Sequence, residues 1–209
     1  KTGQCCGCVW WGGAWVVGLN LTFFYHAEDG IRGVERSRGL GGVYKGQFLT
    51  VSDSRTLAED TSGQYLVDQL TATGHQLADR QLITDDIYKI RAVVSGWIAD
   101  PNVHTVITTG GTGFYIRDSI PEAVSVLFDK SVDGFGEMFR LISKDDIGMS
   151  TIQSRAVAGM ANGTGIFCLP GSSGACRTAW EGILQEQLDS RTRPCNFVPH
   201  FMRTNPGHD

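Results

Sequence analysis

Thr105-Val106-Ile107-Thr108-Thr109-Gly110-Gly111-Thr112-Gly113 is a run of β-branched residues that stops in a glycine-rich loop. β-Branched side chains favour extended backbone, and glycine allows the turns that let successive N–H groups converge. The stretch therefore predicts a strand that delivers a phosphate-sized nest of backbone donors. An acidic residue, Asp118, follows, and Pro121-Glu122 then opens a helix. The same logic recurs where residues 165–169 run into Pro170-Gly171-Ser172-Ser173-Gly174, ahead of a helical segment over 175–188. Two such loops predict a ligand held at two places, and an anionic one.

Outward from these loops the pattern alternates. A short strand over 48–51 ends in Ser52-Asp53-Ser54-Arg55, and Asp60-Thr61-Ser62-Gly63 caps a helix that runs to Thr73, with Gly74 as its stop. A second strand covers 76–83. Asp85-Asp86 opens a helix to Ala99 that carries Ile87, Ile90, Val94, Trp97 and Ile98, and Asp100-Pro101-Asn102 turns the chain into the strand at Thr105. Two helical stretches, 121–128 and 135–142, precede segments 156–161 and 164–169, which flank Asn162-Gly163, a strong hairpin dipeptide. The expected fold class is α/β, a three-layer sandwich whose mostly parallel sheet has one antiparallel strand and helices on both faces. Beyond the last helix, Pro194, Pro199 and Pro206 predict an irregular tail that covers an interface.

At 209 residues the chain is long enough for one such domain, and its net charge of −4 supplies no general field for nucleic acid or an anionic membrane. Anions must be held locally, by loop amides and a few arginines. Of the six cysteines, Cys5, Cys6 and Cys8 lie near the start, while Cys168, Cys176 and Cys195 are scattered. They do not supply the two spaced pairs of a zinc ribbon. The later three sit in apolar or helical contexts and are expected to be buried thiols in a reducing cytoplasm.

Residues 1–47 differ from the remainder. The Trp- and Phe-rich stretch over 9–25 is interrupted by Gly12, Gly13, Gly18, Asn20 and Thr22, so neither a bilayer helix nor a signal peptide is expected. Residues 26–47, His26-Ala27-Glu28-Asp29-Gly30 onward, resemble translated sequencing adapter. Position 1 is Lys and the first methionine is Met138, so residues 1–47 are expected to be a non-native extension. The domain is expected over 48–200, with 201–209 as a tail.

In an open α/β sheet the ligand crevice lies beyond the carboxyl ends of the strands. The polar or glycine loops Ser52-Asp53-Ser54, Thr109-Gly110-Gly111-Thr112-Gly113 and Pro170-Gly171-Ser172 would form one pocket if they share that edge. The glycine loops lack the lysine of a Walker motif and the spacing and position of a dinucleotide fingerprint. No Gly-x-Ser-x-Gly elbow or histidine–carboxylate cage is present. Asp118 is placed to face phosphates and hold Mg²⁺, or else to cap the helix at Pro121. Asp85 is either a second carboxylate at this edge or a helix N-cap. Arg155, after Ser154, could grip an anion bidentately or make a structural ion pair.

The set Ser52-Asp53-Ser54, Asp60-Thr61-Ser62-Gly63, Thr108-Thr109-Gly110-Gly111-Thr112-Gly113, Pro121-Glu122-Ala123, Gly134-Phe135-Gly136-Glu137, Ser154-Arg155-Ala156 and Leu169-Pro170-Gly171-Ser172 closely resembles the MoaB/MogA family of molybdenum cofactor biosynthesis proteins. Cys176-Arg177-Thr178-Ala179-Trp180 and Arg191-Thr192-Arg193-Pro194-Cys195-Asn196-Phe197 resemble its MoaB branch. The resemblance spans about residues 48–200. It implies a molybdopterin-binding domain that assembles as a trimer or a hexamer, works with a molybdenum-insertion partner, and transfers AMP from Mg·ATP to the terminal phosphate of molybdopterin with release of pyrophosphate. A non-catalytic carrier on the same fold is the alternative. On this resemblance, Gly110, Gly111, Thr112 and Gly113 match the phosphate loop and Asp118 the essential, Mg²⁺-holding carboxylate. Asp85 matches a second acidic position, and Glu137, Ser154, Pro170, Gly171 and Ser172 match pocket positions. The chain departs from the family at Phe114-Tyr115-Ile116, where small or polar residues are common.

Overall fold

The computed structural model describes residues 44–201. The apolar stretch over 9–25, the adapter-like residues up to 43 and the tail from 202 lie outside the described residues.

Four strands, β1 (Lys45–Val51), β2 (Gln76–Ile83), β3 (Thr105–Thr109) and β6 (Thr164–Leu169), run parallel. With β4 (Lys130–Ser131) and β5 (Val157–Ala161) they form one sheet in the order β2-β1-β3-β6-β5-β4. Because β5 is antiparallel to both β6 and β4, it alone runs against the others, which is the mixed sheet the alternation predicted. The β5–β6 hairpin turns at Asn162 and Gly163, with φ of 48° and 74°, the left-handed pair a two-residue turn requires.

Helices pack on both faces. The faces alternate along the central strands, as the period of two dictates. Phe48, Ile107 and Phe167 point to one side, where they meet Leu66 and Leu70 of α1 (Thr61–Ala72), Phe135 and Phe139 of α4 (Asp133–Ile147) and Cys176 of α5 (Ser173–Ala179). Leu49, Val106 and Ile166 point to the other, against Ile90 and Val94 of α2 (Ile87–Ala99) and Ile120 and Val124 of α3 (Ile120–Val124). After α5 a π-helical turn, Trp180–Leu184, leads into the short α6 (Gln185–Gln187) and keeps Trp180 and Leu184 buried. The segment after α6 closes over the core with Val198 and Phe201, so here the tail covers its own sheet.

Asp60 caps α1 as expected and also ties the layers together. Its buried carboxylate accepts from Gly63 N–H at 2.9 Å, Thr50 Oγ1 at 2.5 Å and Arg80 Nη2 at 2.9 Å. Burial pushes this carboxyl up, but the three hydrogen bonds and the Arg80 charge outweigh it and hold the group below its ordinary value.

The first strand is longer than its apolar run. Lys45 pairs with β2, Gly46 and Gln47 pair with both β2 and β3, and Tyr44 packs beside His75 and Phe201. Gly46 lies tight against α1, since a Cβ there would stand 2.9 Å from Leu70 Cδ2 and push that side chain aside. Deleting residues 1–43 is therefore expected to leave the thermal midpoint unchanged. Deleting 1–47 removes buried pairing from a central strand and is expected to lower the midpoint by about 5 °C. Calorimetric melts of both truncations check this, and equal midpoints would show that residues 44–47 contribute nothing.

Candidate active site

Register fixes where the loops emerge. Thr50 pairs with Thr109, and Thr109 with Leu169, so β1, β3 and β6 end side by side and release their loops at one edge. The β3 loop turns back at Gly110 (φ +99°) and Gly111 (φ +57°), both in the left-handed region. The Gly110 N–H donates to the Leu169 carbonyl at 3.1 Å, which ties this loop to β6. The N–H groups of Gly111, Thr112 and Gly113 make no hydrogen bond to another backbone group among the described residues. They are candidate donors for an anion, whereas the Gly110 N–H of the predicted nest is taken by Leu169.

The β6 loop packs directly against this turn. A Cβ on Gly171 would come within 3.1 Å of the Gly110 Cα, so the two loops touch glycine to glycine. Ser172 caps α5 by accepting from Ala175 N–H at 3.2 Å, and Ser62 at the start of α1 donates to the Gly171 carbonyl at 3.0 Å. Burial pushes the thiol of Cys176, below this loop, up to about 11 and that of Cys168 on β6 up to about 12, so both are inert.

The paired loops form a rim between two hollows. The larger, about 520 Å³, runs from Gly110, Gly111, Thr112, Gly113 and Asp118 across to α4 and α5, and also takes in Ser154, Pro170, Gly171 and Ser172. The smaller, about 290 Å³, lies on the β1 side between Ser52, Thr109, Gly110, Gly171 and Ser172. Arg55 lines it too, with Nη1 3.4 Å from the Gly171 carbonyl. This arginine follows the quoted Ser52-Asp53-Ser54 motif directly, and its charge is the clue that could have singled it out. On the α4 and α5 wall of the larger hollow, Phe139, Ser143 and Asp146 fall outside every quoted motif, and Thr178 lies within residues 176–180 without being singled out as a site residue.

Three aspartates gather behind the β3 loop. Asp118 Oδ2 accepts from Tyr115 N–H at 2.9 Å and lies 2.5 Å from where a Gly113 Cβ would stand. Asp85 is not a helix cap. Asp86 takes that role, accepting from the N–H groups of Tyr88 at 2.9 Å and Lys89 at 3.0 Å. The Asp85 carboxylate instead accepts from the Ser119 hydroxyl and backbone, and a Cβ on Gly111 would lie 2.6 Å from its Oδ2. Asp53 accepts from Asp85 N–H at 3.2 Å and pairs with Arg117 at 3.0 Å. Burial raises the Asp85 pKa, the Ser119 hydrogen bonds oppose this, and the charges of Asp118 and Asp53 add to the rise. A raised carboxyl favours the protonated form in the folded state, so its stabilising contribution is full below about pH 4 and is lost as pH rises through the folded value. Asp85→Asn keeps an acceptor for Ser119 without the charge. It is expected to raise the ligand-free melting midpoint at pH 7 by about 1–2 °C and to match wild type near pH 4. Melts at the two pH values test this, and a lower midpoint at pH 7 would count against it.

Asp53 and Asp85 line neither hollow, and Arg155 and Glu137 also stand elsewhere. The Arg155 guanidinium donates from Nε to the Thr112 carbonyl at 3.2 Å and from Nη2 to the Asp118 carbonyl at 2.9 Å. It also pairs with Glu122 and lies 5.2 Å from the centroid of the Phe114 ring. It braces the β3 loop from behind, because loop carbonyls and Glu122 take the donors an anion would need. Glu137 lines a separate groove with Arg140 and Ala156, since its helical phase turns it away from the face that carries Phe139 and Ser143.

The match to known proteins agrees with this geometry. Residues 47–190 fit the model of a family described as a probable molybdopterin-binding domain. Molybdenum cofactor biosynthesis protein B of Escherichia coli strain K12 is 55% identical over 156 residues, which cover 75% of this chain and 92% of that protein. This chain belongs to the molybdenum cofactor biosynthesis family. The Bacillus cereus member is 41% identical over 143 residues, 68% of this chain and 85% of the relative. Within the family, a crystal structure of molybdenum cofactor biosynthesis protein B superposes with a TM-score of 0.68 at 40% identity, covering 70% of this chain and 91% of that one. A tungsten cofactor synthesizing protein from Pyrococcus furiosus gives 0.63 at 33% identity, with 69% and 92% covered. Among the described residues no helix is long and apolar enough to cross a membrane.

Proposed function

We propose that this chain transfers AMP from Mg·ATP to the terminal phosphate of molybdopterin. The observation that carries this is the shared rim: Gly110 and Gly171 touch, with a hollow on either side. Two ligands seated in the two hollows meet at their phosphates, the only part of each that must approach the other. An oxygen of the molybdopterin phosphate attacks the α-phosphorus of ATP and forms a new P–O bond. The bond from the α-phosphorus to the oxygen it shares with the β-phosphorus breaks, and pyrophosphate leaves. Such a displacement needs alignment and charge neutralisation more than a protein nucleophile. The free amides of Gly111, Thr112 and Gly113 meet the equatorial oxygens, and Arg55 adds positive charge at the smaller hollow.

Among the described residues no three carboxylates, imidazoles or thiols come together as a metal cage. A Mg²⁺ ion brought in on ATP fits this better than a resident metal, because it is ordinarily held by one or two carboxylates together with phosphate oxygens and water. Asp118 is the carboxylate beside the nest. The ion supplies charge stabilisation to the phosphoryl oxygens.

Outside the crevice, Met138 and Leu141 on α4 and Met149 and Ile152 on the turn after it are exposed, which suits assembly into a trimer or hexamer. Operation in the cytoplasm beside a molybdenum-insertion partner completes the proposal. The deciding experiment incubates the protein with molybdopterin and Mg·ATP and measures pyrophosphate. Stoichiometric release that depends on both substrates is expected. Binding of molybdopterin with no release would reduce the function to that of a carrier.

A further inference from the structure

The stretch Asp60-Thr61-Ser62-Gly63 opens α1, and helix capping accounts for Asp60 and Gly63 but not for Ser62. Ser62 is 1% exposed and reaches across to the β6 loop, where its hydroxyl lies 3.0 Å from the Gly171 carbonyl and 3.0 Å from Ser173 Oγ. A serine hydroxyl has one proton, and a carbonyl can only accept. Ser62 therefore donates to Gly171 and accepts from Ser173. The same carbonyl has a second donor, Arg55 Nη1 at 3.4 Å. Among the described residues the exposed Arg55 guanidinium makes no other hydrogen bond and no ion pair, and it is the only charged group lining the smaller hollow.

We infer that Ser62 is a positioning residue that acts through Gly171: by keeping this carbonyl satisfied, it releases Arg55 to a phosphate oxygen in the smaller hollow. This rests on the proposed function, which brings phosphates to the rim. A partly buried carbonyl left without a donor is costly. With Ser62 in place, Arg55 exchanges a long, weak hydrogen bond for a charge-assisted one to the anion, and the carbonyl keeps its better donor. Without the Ser62 hydroxyl, Arg55 is the carbonyl's sole protein donor, so an anion that draws the guanidinium away strands the carbonyl beside its own negative charge. Affinity falls by that cost. The arrangement is rigid on the Ser62 side, because Asp60 ties the start of α1 to Thr50 of β1 and Arg80 of β2.

Inorganic pyrophosphate is the probe, since it carries no ring and engages only through its oxygens. Calorimetry compares the full wild-type chain with Ser62→Ala, Ser62→Thr, Arg55→Ala and the Ser62→Ala, Arg55→Ala double variant. Ser62→Ala is expected to lose about threefold to tenfold in affinity, and Ser62→Thr, which keeps the hydroxyl, to stay within about twofold. In the Arg55→Ala background, Ser62→Ala should cost less than about twofold, because no guanidinium is left to withdraw. A hydroxyl that merely supports the loop would cost the same in both backgrounds, and that result overturns the inference while leaving the proposed function standing. So does a threonine variant that loses as much as the alanine one. The Arg55 side-chain ¹⁵Nε signal of the wild-type protein supplies a readout that needs no variant: pyrophosphate should shift it, and an unmoved signal in protein that binds pyrophosphate overturns the inference alone. Wild-type protein that binds no pyrophosphate overturns the proposed function and the inference together.

Discussion

Gly110→Ala is expected to destabilise the domain by about 3 kcal/mol and to abolish ligand binding in the fraction that stays folded. The backbone has φ of +99° there, a region in which a Cβ is strained in any surroundings. The surroundings add to the strain, because the new Cβ would overlap the Val51 carbonyl oxygen at the end of a central strand. That oxygen belongs to backbone and cannot swing aside as a side-chain terminus would. Relief requires the β3 loop to lift from β1, which also separates it from Gly171. Denaturant melts measure the stability, and titration with molybdopterin measures the binding. Gly111→Val provides the contrast. Its φ of +57° is unfavourable for a β-branched residue, but the nearest atom, 2.6 Å away, is an Asp85 side-chain oxygen, which can move. The fold should survive while anion binding weakens. Wild-type stability in Gly110→Ala would show that the glycine turn is free to rearrange.

The fold was legible because its strands are buried on both faces. Residues 105–109 and 164–169 read as short apolar or β-branched runs bounded by glycine, as a central parallel strand must. The elements that escaped were those whose role is polar. Lys45 to Gln47 extend β1 through backbone pairing, with no apolar residue among them to mark it. β4 is two exposed residues long and exists only because β5 lies beside it. α4 runs five residues past its apparent end, since Ser143-Lys144-Asp145-Asp146-Ile147 needs only Ser143 to face inward.

The site divides along the same line. At Gly110 and Gly171 the space a Cβ would need is bounded by backbone, the Val51 carbonyl and the Gly110 Cα, whereas at Gly111 and Gly113 the nearest atom is an Asp85 or Asp118 side-chain oxygen. Arg155 reads from sequence as either an anion grip or an ion pair, and its pairing with Glu122 decides for the latter, with hydrogen bonds to loop carbonyls taking its remaining donors. Asp85 and Asp86 are adjacent and identical in type. Which of them caps α2 depends on the dihedral angles at the helix start, which place the Asp86 carboxylate over the first turn. Ser143 gave no warning, since a serine among helical polar residues is ordinary until the helix is packed.

Asp118→Asn is expected to lower the rate of pyrophosphate release by about 10² to 10³ while molybdopterin affinity changes little. The substitution is close to isosteric, and the amide oxygen can still accept from Tyr115 N–H, the contact that holds the loop at 2.9 Å. What disappears is the negative charge beside Gly113, the point at which a Mg²⁺ ion carried by ATP would find its one protein carboxylate. Asp85 cannot take over. Its carboxylate is engaged by Ser119 on the far side of Gly111, and its pKa is already raised, so drawing a cation there would first require displacing those hydrogen bonds. The loss should therefore appear in turnover and in the Mg²⁺ dependence of nucleotide binding. On the proposed function, pterin binding rests on the loop amides and should remain. Pyrophosphate release assayed across a Mg²⁺ titration, alongside calorimetry with molybdopterin alone, separates the two effects. A variant that turns over at the wild-type rate would remove Asp118 from the mechanism. One that loses molybdopterin binding instead would assign the carboxylate to the pterin rather than to the metal–nucleotide pair.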